Sequence, residues 1–449
     1  MAPRDVPSDA ETAQRLIAAA LSCGADAADA IVVSTASTNI TIADSSLEEA
    51  ERAESTDFGL RVLVGQRQAC VSSSNPDPAV IAEMATRAIA IAREAPEDPH
   101  CGLLPAEEVT AVQRNLDLLD PAPEPSPDTL EDMAREAEAA ALAVSGVTQV
   151  ESASAAAGQS TISLAATNGF AGSYTRSMTS VSASAIAGEG LGRERDWCAE
   201  TRRHRADLPS PTEIGRLAGE RAVERLSPRK PPSGAFPVLY DVRIAPGLVR
   251  HLLGAINGSA VARGASWLRD AMGEQVLPKG VSLIDDPLIL RGLSSAPFDA
   301  EGIAGRARPL VEEGVLQSWV LDAATARKLG MQSTGHARRG TSSPPSPGVT
   351  NVRMEAPGRP RAELIAEMGT GLIVTGMIGS SINPTTGAYS RGASGLWVED
   401  GEIAYPVNEV TVAGSLPEMM KTLIAADDAE AYRAISAPSL LVEGLTIGA

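Results

Sequence analysis

His251 and His336 are the two positions with the best local setting for imidazole chemistry. His251 sits in Pro246-Gly247-Leu248-Val249-Arg250-His251-Leu252-Leu253-Gly254-Ala255, read as a helix opening after Pro246. His336 sits in Thr334-Gly335-His336-Ala337-Arg338-Arg339. A zinc hydrolase needs about three protein ligands and an open position for water. Two histidines 85 residues apart, with no His-Glu-x-x-His, are a thin start for one. The chain holds only four histidines and four cysteines. His100 adjoins Cys101 on a Pro-flanked loop, and neighbours on a loop seldom chelate one ion. His204 lies among Arg202, Arg203 and Arg205, whose charge opposes a cation. Asp285-Asp286 and Asp299-x-Glu301 either pair carboxylates for acid–base work or sit at turns. There is no Gly-x-Ser-x-Gly elbow to expose a serine nucleophile. Gly369-Thr370-Gly371 precedes an apolar strand rather than a helix, so it offers no phosphate cradle.

These residues need elements to hold them. Residues 9–23 place Ala13, Leu16, Ile17, Ala20 and Leu21 at helical spacing. Strands are expected at Ala30–Ser34, Asn39–Ile42, Asp57–Val64 and Gln66–Ser73, then a helix over 78–94 capped by Asp77. After the stiff Pro121–Pro127 segment the order recurs. Asp128 opens a helix, Ser/Ala/Thr-rich alternation runs from Thr148 to about Arg205, and Pro211 starts another helix. The reading is an α+β fold. A helix and antiparallel-strand domain over 1–227, with two similar halves at about 9–94 and 128–227, precedes a β-rich domain over 228–449. The boundary is Pro228-Arg229-Lys230-Pro231-Pro232. Beyond it, strands are expected at Pro237–Asp241, Val281–Asp285, Pro309–Glu312, Val315–Leu321, Gly371–Ile378, Gly395–Val398 and Glu402–Val412. A helix near Leu416–Ala425 and a strand at Leu440–Ile447 follow.

Composition narrows the function classes. Apolar residues are 43% and charged ones 21%, with mean hydropathy −0.02, which suits a packed globular chain. Aromatics are only 3%, so the core must be Ala, Val, Leu and Ile. Lys+Arg 38 against Asp+Glu 57 gives −19, which disfavours nucleic acid and anionic membrane surfaces. Met1-Ala2-Pro3-Arg4-Asp5 has no secretory pattern, and apolar runs such as Leu16 to Leu21 fall short of the ~20 residues a membrane helix needs. Cys23, Cys70, Cys101 and Cys198 are scattered, as expected of reduced thiols in a cytoplasmic protein.

The second domain resembles the PmbA/TldE branch of the TldD/PmbA family, also labelled modulators of DNA gyrase. The matching text is Thr334 to Arg339, Thr350-Asn351-Val352, Gly387 to Trp397, Glu399-Asp400-Gly401-Glu402-Ile403, Tyr405 to Leu416, Pro438 to Leu441 and Leu445 to Ile447. The likeness covers about 237–449 strongly and 10–225 in element order. TldD-type subunits carry His-Glu-x-x-x-His and a late cysteine that hold zinc. In register, the resemblance puts Arg250 and Ala255 at the two histidine positions and His251 at the glutamate. Neither Arg nor Ala can ligate zinc. The segment Ala434 to Leu440, which should hold the cysteine, has none. The resemblance thus implies no catalytic residue and no metal in this chain.

It further implies a non-catalytic subunit pairing with a TldD-like zinc subunit in a heterodimeric metallopeptidase that acts on unfolded peptides, for maturation and proteolysis. Zinc is then expected in the partner, with a homodimer possible when the chain is alone. Candidate contacts for an extended peptide are His251, Arg338, Arg339, Thr350, Asn351, Ser390 and Arg391, each of which could instead tie down a loop. The alternatives are a homodimeric peptide-binding or regulatory scaffold, and an independent hydrolase using His251 and His336.

Overall fold

A computed structural model describes residues 8–110 and 114–449. The run Met1 to Asp5 lies outside the described residues. Helix α1 (Asp9–Ser22) starts in a reciprocal cap. The Ser8 hydroxyl accepts from the Glu11 amide, and Glu11 Oε2 accepts from the Ser8 amide at 2.8 Å. Then come β1 (Ala27–Ala43), β2 (Ser46–Val64), β3 (Arg67–Ser73) and α2 (Pro78–Glu94). The order recurs as α3 (Pro127–Leu142), β4 (Val147–Ala166), β5 (Ala171–Ala187), β6 (Glu194–Arg202) and α4 (Pro211–Glu224). The six strands make one antiparallel sheet, β3-β2-β1-β4-β5-β6, with β1 and β4 at its centre.

Several local expectations change, and the strand expected from Asp57 begins at Ser46. Ala30–Ser34 and Asn39–Ile42 are parts of one strand, because Thr35 to Thr38 pair with β2 on one side and β4 on the other. Their small side chains fit between two ladders, so nothing interrupts the strand. Helix α3 opens at Ser126, whose hydroxyl accepts from the Thr129 amide, and Pro127 takes its first turn. Asp128 is therefore inside the helix rather than at its cap.

Strand alternation sorts the two faces. Ala28, Ala30 and Val32 of β1 pack with Leu16, Ile17, Met84 and Ala85 of α1 and α2. Ile40 and Ile42 pack with Leu130, Ala134, Ile214 and Ala218 of α3 and α4. All four helices thus cover one face. Helices α3 and α4 touch at backbone distance: a Cβ on Gly215 would lie 1.9 Å from the Ala137 carbonyl oxygen. The opposite face carries Thr35, Ser37, Asn39 and Ser154 and is half-buried.

The remaining elements are β7 (Gly234–Tyr240), α5 (Ala245–Ala255), α6 (Gly258–Ala262), β8 (Ser282–Asp285), β9 (Arg308–Glu312), β10 (Val315–Leu316), α7 (Ala323–Lys328), β11 (Ala337–Arg338) and β12 (Ser346–Pro347). After them come β13 (Val352–Glu355), α8 (Arg361–Met368), β14 (Gly371–Ile382), β15 (Ala388–Glu399), β16 (Glu402–Ser415), α9 (Leu416–Thr422), β17 (Ile424–Ala425), β18 (Ile435–Ser436) and β19 (Leu440–Gly448). Strands β16-β15-β14-β7-β19 close into a barrel, because β19 pairs with both β7 and β16. Trp397 and Tyr240 are buried in its core. A second sheet runs β10-β9-β8-β13-β18. The strand expected over Val315–Leu321 stops at Leu316, because the next amides of Gln317 and Ser318 both turn to the Leu310 carbonyl. The helix expected to Ala425 stops at Thr422, since Ile424 and Ala425 pair with β19.

The sheet and the barrel region meet through few aromatics and several arginines. Phe298 sets its ring edge-on to Phe170 at 5.0 Å and to Tyr174 at 5.5 Å. Arg203 donates to the carbonyls of Gly292 and Leu293, and Arg327 to those of His100, Gly102 and Leu103. Buried Arg339 pairs with Asp29, which also holds Arg61. Among the described residues no helix is long and apolar enough to cross a membrane.

Candidate functional site

The sequence candidates separate into two places. Arg338, Arg339, Thr350 and Asn351 lie at the joint between sheet and barrel region, and their polar atoms are engaged except for Arg339 Nη2, which is buried without a partner. Thr350 donates its amide and hydroxyl to Asp285 at 2.6 and 2.9 Å. Asn351 donates to the Asp286 carbonyl and accepts from the Ser294 amide, both at 2.9 Å. Arg338 donates to the carbonyls of Ser294 and Val349. His336 is buried beside them, with Nδ1 2.8 Å from the Thr334 hydroxyl and Nε2 3.0 Å from Asp285. Both ring nitrogens are therefore occupied by protein.

The acidic pairs serve loops. Asp299 accepts the amides of Glu301, Ile303 and Ala337, the geometry of a capped turn. Burial pushes its carboxyl above the usual range. His204 departs from its reading by chain neighbours: its ring turns from the adjacent arginines toward Asp117, with Nε2 3.0 Å from that residue's carbonyl oxygen.

His251, Ser390 and Arg391 lie elsewhere, around α5 and β15. The His251 ring stands edge-on to Tyr389 at 5.9 Å. Burial, and then the Arg391 guanidinium, push the His251 imidazole below its ordinary value. Arg391 donates to the Gly379 carbonyl at 2.8 Å.

The neighbouring cleft, about 580 Å³, runs between β6 and α4 on one side and β14, β15 and α5 on the other. Arg195, Arg221, Arg225, Arg243, Arg250 and Arg433 line it, against Asp196 and Glu409. In a chain of net charge −19 this is a local inversion of sign. Most of the guanidiniums are tethered. Arg225 lies 3.5 Å from Glu194 and 3.6 Å from Asp196, Arg243 donates to Asp241 at 3.0 Å, and Arg433 to Glu430 at 2.6 Å. Arg195 bonds Glu151, and Arg221 bonds the Trp197 carbonyl at 3.0 Å. The Arg250 side chain makes no hydrogen bond or ion pair among the described residues, and it is exposed in the cleft.

None of these six arginines is among the sequence candidates for peptide contact, and Arg250 enters the sequence reading only as a side chain unable to ligate zinc. The other five come from β6, α4 and the turns before α5 and β18, and no periodicity links them. The only available signal was Arg250 itself.

Family profiles described as PmbA/TldA metallopeptidase domain 1, central domain and C-terminal domain match residues 28–92, 120–226 and 233–449. The chain is 35% identical to the metalloprotease PmbA of Escherichia coli, over 94% of this chain and 92% of that one. The chain belongs to the PmbA/TldD family. A Bacteroides thetaiotaomicron protein named as a modulator of DNA gyrase superposes with TM-score 0.89 at 26% identity, covering 98% of each chain. TldE from Thermococcus kodakarensis shares the fold, with TM-score 0.84 at 20% identity, over 98% of this chain and 100% of that one.

The metallopeptidase name raises the question of a metal, and the residues here do not fit one. Positions 250 and 255 stand about 140° apart on a regular helix, since five residues turn through ~500°. Arg250 accordingly faces the cleft while Ala255 is buried in the core. Ala434 and Ile435, from the segment where the resemblance expects a cysteine, line the same cleft without a donor atom in their side chains. Among the described residues no three His, Cys, Asp or Glu side chains converge on a metal position.

Proposed function

We propose that this chain is the non-catalytic, PmbA/TldE-type subunit of a heterodimeric metallopeptidase, pairing with a TldD-like zinc subunit and acting on unfolded, extended peptides. The observation that carries the reading is the cleft face of α5. Helix α5 and the segment from Ala434, which the resemblance aligns with the family's metal-ligand segments, both border one cleft, and Arg250, Ala434 and Ile435 offer no zinc ligand to it. The likeness in fold to TldE supports it. His251, Ser390 and Arg391 do not line the cleft itself but sit beside it on α5 and β15, where they serve as further peptide contacts, His251 as a neutral imidazole. Arg338, Arg339, Thr350 and Asn351 hold the joint behind it.

The test uses purified full-length chain, metal analysis, and an unfolded-peptide assay with and without a TldD-like chain. The expected result is no stoichiometric zinc and no hydrolysis by the chain alone, and chelator-sensitive hydrolysis on mixing. Chelator-sensitive hydrolysis by the chain alone would overturn the proposal.

A further inference from the structure

We infer that the arginine-lined cleft is a receptor for the terminal carboxylate of an extended peptide, with Arg250 as its anchoring cation. The inference rests on the reading of this chain as a peptide-holding subunit and adds what it holds.

Three observations carry it. The first is the state of the charges. Four of the six cleft arginines hydrogen-bond to carboxylates or a carbonyl and Arg225 lies within ion-pair distance of Glu194 and Asp196, while Arg250 has neither kind of partner among the described residues and stands exposed. An unsatisfied fork of planar N–H donors suits a carboxylate, which can take two parallel bonds from it. The second is position. Arg250 is exposed on the side of α5 that lines the cleft, so its guanidinium is presented to whatever enters there.

The third observation concerns what else borders the cleft. Ile378 is 77% exposed and Trp197 60% exposed, and both line it. Large apolar side chains left in water beside a cation fit a ligand with an anionic end and an apolar flank. Inorganic phosphate or a free acid would leave them uncovered. Strand β14 also bulges at Thr375, which the ladder to β15 skips. The skipped residue borders the cleft and can offer main-chain groups to an extended backbone. The occupant is therefore a peptide with a free carboxylate and an apolar last residue.

The experiment measures binding of a fluorescein-labelled unfolded decapeptide ending in leucine, as free acid and as C-terminal amide. Full-length chain is used alone and mixed with a TldD-like chain, with inorganic phosphate as competitor. The acid is expected to bind at least tenfold more tightly than the amide. Arg250→Ala should abolish the preference and Arg250→Lys restore part of it, both with wild-type thermal midpoints because the side chain is exposed. Phosphate should compete only weakly. Equal binding of acid and amide, no peptide binding in either preparation, a preference that survives Arg250→Ala, or displacement by phosphate at peptide-like affinity would each overturn the inference. Hydrolysis by the mixed chains reports on the subunit reading, whereas the acid-over-amide ratio reports on this one. The two can therefore fail separately.

Discussion

At the scale of single residues, what side chains do here is set by burial more than by type. Glu301 has the same carboxyl as dozens of exposed neighbours, yet burial first, then Asp299 and Asp322, push it to about 8. A folded-state value above the unfolded one means that the native protein binds that proton more tightly. The resulting stability is fully present below the unfolded value and is lost as pH rises through about 8. Glu301→Gln mimics the protonated form and removes the dependence. Between about pH 5 and 8, wild type should therefore lose stability relative to Glu301→Gln by up to ~1.4 kcal/mol per unit. Denaturant titrations at several pH values check this, and parallel profiles would refute it. The sequence flagged Asp299-x-Glu301 as either a working pair or a turn, but spacing alone carries no burial. Arg250 and Ala255 enter the sequence reading only through the register that the resemblance supplies, which needs no third dimension. The other cleft arginines do not enter it, because separate chain segments bring them together.

At the scale of elements, helices with clear caps and apolar stripes were readable nearly to the residue, and α2 spans 78–94 as its pattern indicates. Strand ends were less so, since Thr and Ser suit a ladder or a turn equally well until the neighbours are known. Gly215 shows how packing reverses a local preference. Alanine in a helix interior is worth ~1 kcal/mol over glycine. Here its Cβ would meet the Ala137 carbonyl oxygen at 1.9 Å, a backbone atom that cannot swing aside. Gly215→Ala should consequently destabilise the protein, by about 1–3 kcal/mol, as α3 and α4 are pushed apart. A rise in the denaturation midpoint would show that the helices separate freely.

At the scale of the whole molecule, the recurrence of helix, strands and helix was visible along the chain, whereas its consequence, one continuous sheet joined through β1 and β4, was not. The joint to the barrel region was invisible too, being built from Phe298, Phe170 and Tyr174 at distant positions. Phe298→Ala should cost about 3–5 kcal/mol and loosen that joint. The exposed segment 227–230 should then be cut faster by protease, and wild-type cleavage and stability together would show that the aromatic contact is dispensable. The same joint has a consequence for the cell's changing ionic strength. Arg203 and Arg327 rest on carbonyl oxygens, not on carboxylates. Dissolved ions weaken exposed opposite charges such as Arg195 and Glu151, but a neutral carbonyl has no charge for them to screen. A rise in ionic strength should therefore weaken these two arginine contacts less than it weakens the exposed pair.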